Sequence, residues 1–127
     1  MQERRLFEYA VIRIVPRPER EEFVNAGVIL YCAEKKFLGM RAHFPEAKLQ
    51  ALDPGLSMEE IKTHLRAFEE ICCGKTPDSP ISKLDNASRF RWLTATRSTV
   101  IQTSKVHPGL CEDPQATLDR LLVEVVC

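Results

Sequence analysis

The chain has 127 residues, 44% hydrophobic and 28% charged, with 18 Lys and Arg against 18 Asp and Glu. One domain of that size buries roughly two-thirds of its unfolded surface, so it needs no disulfide or metal staple, and the composition excludes disordered and fibrous classes. A zero net charge removes the global field that draws proteins onto nucleic acid or anionic membranes.

No apolar run approaches the ~20 residues that span a bilayer. The opening MQERRLFEYA puts Glu and Arg where a secretory leader needs an apolar core, so a cytoplasmic location is expected. Five cysteines, Cys32, Cys72, Cys73, Cys111 and Cys127, are odd in number and contain no C-x-x-C. This is the pattern of reduced, mostly buried thiols and not of a disulfide framework.

LFEYAVIRIVP (6–16) is rich in β-branched and aromatic residues, with apolar side chains on both faces, which predicts a central strand. NAGVILYC (25–32) and FLGMRAH (37–43) read as two further strands joined through AEKK as a hairpin. Pro45 fits the first turn of a short helix, EAKLQAL, which DPG ends. Ser57 with Glu60 three residues later forms a capping box. Ile61, Leu65, Phe68 and Cys72 then recur at helical spacing until Gly74 supplies a stop.

GKTPDSPISKLDNAS (74–88) has no periodicity and reads as a surface loop. SRFRWLTA suits a helical turn or two, and STVIQTSKV has the β-branched content of a strand. Asp113 before Pro114 is an N-cap, followed by the apolar stripe Leu118, Leu121, Leu122, Val125 of a terminal helix. The expectation is a single α+β domain over 1–127, with strands and helices in the order β-β-β-α-α-β-α. It has an antiparallel or mixed sheet of about four strands with the helices packed on one face. Ile12, Ile14, Val28, Leu30, Phe68 and Leu122 are expected in one core.

Motif chemistry is sparse. His107 and Cys111 are four apart, but Pro108 and Gly109 between them oppose a helical metal pair, and no metal or cofactor is expected. Neither a phosphate-cradling glycine loop nor G-x-S-x-G occurs. His64 lies on a helix flank and His43 ends a strand, which leaves His107, closing a polar strand before a Pro-Gly turn, as the candidate acid-base group.

The arginines carry more. Arg13 and Arg41 interrupt apolar strands, and Arg97 precedes the hydroxyl pair Ser98-Thr99. A guanidinium inside a buried strand must be paired, either by a carboxylate such as Glu8, Glu21 or Glu22 or by an external anion or acidic partner. Between 83 and 105 there are five cationic residues (Lys83, Arg89, Arg91, Arg97, Lys105) against Asp85 alone, an excess of four. Trp92 and Phe90 stand among them, either as anchors on the core or as a surface that stacks on a partner. The candidate anion- or partner-binding set is therefore Arg13, Arg41, Arg97, Ser98, Thr99 and Trp92.

Three stretches, YAVIRIVPRPEREEFVNAGVILYC (9–32), KLQALDP (48–54) and RFRWLTATRSTVIQTSKVHPGLCEDP (89–114), resemble in order and wording a bacterial family known only as domain of unknown function 3037. The similarity runs over nearly the whole chain. The resemblance implies a small single-domain bacterial protein with no assigned activity, found in the genomic company of HipA-like serine/threonine kinases of the toxin type. The family more usually carries Pro where this chain has Thr96, in a run resembling APRSTVVQ, and the departure implies a looser turn before Arg97. No catalytic residue carries over.

The expected function is a non-enzymatic bacterial accessory or regulatory protein that binds another protein, with a HipA-like toxin-type kinase as the first partner to try. The alternative is a small enzyme acting on a phosphorylated or nucleotide substrate, with Arg97 and Arg13 as anion ligands and His107 as acid-base group. Nucleic-acid binding, a third class, is opposed by the zero net charge.

Overall fold

A computed structural model describes residues 3–76, 78–97 and 99–127. The strands are β1 (Arg5–Ile14), β2 (Val24–Cys32), β3 (Phe37–Ala42), β4 (Ile101–Thr103) and β5 (His107–Cys111). The helices are α1 (Glu46–Leu52), α2 (Met58–Cys73), α3 (Asn86–Leu93) and α4 (Pro114–Val125), with short 3-10 turns at Pro18–Arg20 and Ile81–Lys83. Among the described residues no helix is long and apolar enough to cross a membrane.

All strand pairs are antiparallel, which gives the expected α+β arrangement with β1 inside the sheet. β2 and then β3 lie on one side of β1. On its other side β4 pairs with Ile12–Ile14, and β5 with Arg5–Tyr9. The sequence predicts one strand over STVIQTSKV and a turn at Pro108-Gly109, but the strand stops at Thr103 and HPGLC forms a fifth strand. Pro108 is tolerated because β5 lies at a sheet edge, where a missing N–H leaves no ladder bond unmade. His107 therefore opens a strand instead of closing one.

The break between β4 and β5 falls opposite Val11 and is closed by Ser104. Its N–H donates to the Val11 carbonyl at 2.8 Å, and its hydroxyl accepts from the Val11 N–H at 2.8 Å. One buried serine thus stands in for a ladder rung.

β1 buries alternate residues on opposite faces, as its double apolar pattern requires. Ala10, Ile12 and Ile14 pack with Leu65, Phe68 and Cys72 of α2 and with Phe90 and Leu93 of α3. Phe7 packs instead with Val28, Leu30 and Cys32 against Leu118, Leu121 and Leu122 of α4.

The expected single core is therefore two layers, one on each face of the sheet. Ile12, Ile14 and Phe68 belong to one, and Val28, Leu30 and Leu122 to the other. The helices accordingly do not all gather on one face. α2 and α3 cover the first layer and α4 the second, because an apolar second face left in water would cost roughly 1.5–3 kcal/mol per large side chain. A bulge contributes to this division: Ile12 pairs with Gly27 and Arg13 with Asn25, so the intervening Ala26 turns to the same side as Ile29. Gly27 is required there, since a Cβ would stand 2.6 Å from the Arg41 carbonyl oxygen.

The helix ends follow the local sequence. Ser57 Oγ accepts from the Glu60 N–H at 3.4 Å, and Gly74, at φ 70°, closes α2. Asp113 Oδ1 accepts from the N–H groups of Gln115 and Ala116 and starts α4.

Candidate functional site

The stretch 89–107 is built on α3. Asp85 caps that helix through the Ser88 N–H at 2.8 Å, and this bond holds its carboxyl below the usual carboxylate range. Phe90 is wholly buried and stacks on Tyr31 of β2 with 5.5 Å between ring centroids, which anchors α3 to the sheet. Trp92, two residues on, is 38% exposed. One aromatic is thus the anchor and the other faces solvent.

Beside Trp92 lies a groove of about 430 Å³. α2 contributes His64, Ala67, Phe68 and Ile71, which share a helix side at spacings of three and four. Leu93 and Ile101 add to the apolar lining, and Arg97 and Thr99 bring polar groups. Among the described residues no carboxylate lines the groove.

Arg97 stacks on Trp92, its guanidinium carbon 4.5 Å from the ring centroid, and donates to the Trp92 carbonyl. It also lines a smaller polar pocket of about 120 Å³ with Thr96, Gln102, Thr103 and Lys105. Neither Arg97 nor Lys105 forms an ion pair among the described residues. Their neighbours are committed elsewhere: Arg91 pairs with Glu8 at 2.6 Å, and Arg89 donates to the Leu84 carbonyl and to Asn86 Oδ1.

The structure brings Trp92, Arg97 and Thr99 together at the groove. Ser98 lies outside the described residues. Arg13 and Arg41 are elsewhere. Arg13 stacks over Phe23 at 4.1 Å, with its Nε buried and without a hydrogen-bond partner among the described residues. Arg41 pairs with Asp119 of α4 at 3.0 Å, and not with Glu8, Glu21 or Glu22. His107 pairs with Tyr9, its ring 5.3 Å from the tyrosine ring, on the α4 side of the sheet and so opposite the groove.

His64, Ala67 and Ile71 are groove residues that sequence reasoning does not reach. The available signal is a second stripe beside Ile61, Leu65, Phe68 and Cys72, wider than one buried face needs. Thr99 donates its hydroxyl proton to the Ile101 carbonyl at 2.8 Å, and no hydrogen bond joins it to His64 among the described residues. The groove therefore presents apolar surface and one cation, without an assembled nucleophile and base. No group of three or more His, Cys, Asp or Glu side chains suited to a metal converges among the described residues.

The family model described as protein of unknown function (DUF3037) matches residues 9–126. No curated protein and no solved structure matches the chain.

Proposed function

Because the chain belongs to the family of proteins of unknown function DUF3037, which assigns it no chemistry, we propose from the groove itself that it is a non-enzymatic accessory or regulatory protein that captures another protein. The observation that carries this reading is the apolar groove rimmed by Trp92 and Arg97. Trp and Arg dominate binding energy at protein interfaces because they combine large desolvated area with directed hydrogen bonds. The family resemblance makes a HipA-like toxin-type kinase of a bacterial cell the first partner to test.

The enzyme alternative draws less support. Its candidate base, His107, is on the opposite sheet face from Arg97. The test is capture of a purified HipA-like kinase, and of proteins from a bacterial lysate, by wild type, Trp92→Ala, Arg97→Ala and His107→Ala, beside a screen for hydrolysis of nucleotides and phosphoesters. Capture should weaken with Trp92→Ala and Arg97→Ala and persist with His107→Ala. Turnover that disappears in His107→Ala, with no protein captured, refutes the reading.

A further inference from the structure

We propose that the groove and the polar pocket together take one extended segment of the partner, in which an apolar side chain is followed within three residues by Asp or Glu. The proposal rests on the capture reading and adds the chemistry of what is captured.

Arg97 is the shared wall of both cavities, so a chain crossing it meets apolar surface on one side and a polar pocket on the other. Among the described residues neither lining contains a carboxylate. Arg97 and Lys105 therefore present two cations without internal neutralisation there, whereas Arg91, on the same stretch, has Glu8. The stack on Trp92 and the bond to its carbonyl hold the Arg97 guanidinium in one place, and among the described residues its remaining N–H groups are left to donate. A pre-placed guanidinium loses less freedom on meeting a carboxylate than a mobile one does.

An extended peptide advances about 3.3 Å per residue, so neighbouring cavities are reached by residues one to three apart. Charge complementarity selects an acidic side chain for the pocket. A nucleic-acid base would compete with the Arg97 guanidinium for one face of the Trp92 ring.

The test uses fluorescein-labelled, end-blocked eight-residue peptides with Leu or Phe at a central position and Glu or Gln one, two or three residues later, and oligouridylate as a separate probe. With wild type, the best Glu peptide should bind at least tenfold more tightly than its Gln twin. That ratio should fall to within twofold in Arg97→Ala, shrink in Lys105→Gln, and survive in part in Arg97→Lys, which retains the charge. Ile71→Asp should weaken both twins. Circular dichroism of each variant controls for folding, and the exposed Lys105 is a position where substitution leaves the core intact.

Glu and Gln peptides that bind equally well would overturn this inference and leave the capture reading standing. No binding of any peptide, or tighter binding of oligouridylate than of peptides, would also overturn it, whereas the capture reading falls only if the kinase and lysate proteins are not captured.

Discussion

The Arg97 guanidinium lies 4.5 Å from the centre of the Trp92 ring and also donates to the Trp92 carbonyl, so one side chain stacks on a face of the indole and bonds the last turn of α3. Trp92 is the only tryptophan, which makes its emission a direct report on this contact. Arg97→Ala should shift that emission to longer wavelength as water reaches the ring, and should cost about 0.5–1 kcal/mol, the range of an exposed cation–π pair. An unchanged spectrum in urea-free buffer would show that the stacked arrangement is not the populated one.

Ser104 offers a sharper stability test. Its buried hydroxyl accepts from the Val11 N–H at 2.8 Å and donates to the Lys105 carbonyl at 2.9 Å. Ser104→Ala leaves the Val11 N–H without a partner inside the sheet, and an unsatisfied buried donor costs about 1–3 kcal/mol. Urea unfolding should show a loss in that range, and amide exchange at Val11 should accelerate. A loss below about 0.5 kcal/mol would mean that water or a shift of β4 replaces the hydroxyl.

Elements set by local rules are legible in the sequence: α2 between Ser57 and Gly74, α4 after Asp113, and β1 with its two apolar faces. What stays hidden depends on distant partners. Nothing near Pro108 announces a strand, because HPGLC becomes one only by pairing with Arg5–Tyr9, about a hundred residues earlier in the chain. The same holds for the site. Trp92, Arg97 and Thr99 are close in sequence and group together on that ground, whereas His64 and Ile71 join them only through the packing of α2 beside α3. Arg13 and Arg41 group with Arg97 in the sequence only as cations, and their partners, Phe23 and Asp119, become visible only in the fold.

At Gly109 a single methyl group would meet a side chain, where at Gly27 it would meet backbone. Gly109 pairs with Phe7, and a Cβ there would stand 2.4 Å from Phe7 Cζ. Phe7 is 5% exposed and packed in the α4 layer, so the ring has little room to swing aside. Gly109→Ala should destabilise by about 1–3 kcal/mol, the usual cost of overpacking. Phe7→Leu should lose stability alone but recover part of the loss when combined with Gly109→Ala, because the two residues share the same space. Strict additivity in a double-mutant cycle would show that the ring does not oppose the added methyl.

The cysteines divide by exposure, and pH gives the division a sign. Cys73 and Cys127 are exposed, while Cys32, Cys72 and Cys111 are buried, all five as free thiols. A thiol reagent at pH 8 should label two positions quickly and the other three only on unfolding, and a reductant should leave the melting temperature unchanged. Burial pushes the Cys72 thiol from 9.0 up to about 12, and raises Cys111 in the same direction. With the folded value above the unfolded one, the contribution to stability is complete below pH 9. It is lost as pH rises towards 12, where the unfolded chain releases its proton first. Tyr and Lys titrate in the same window, so the measurement is the difference in unfolding free energy between wild type and Cys72→Ala. That difference should be largest at pH 7 and shrink steadily at pH 10 and 11; a difference constant across this range would show that Cys72 titrates alike in both states.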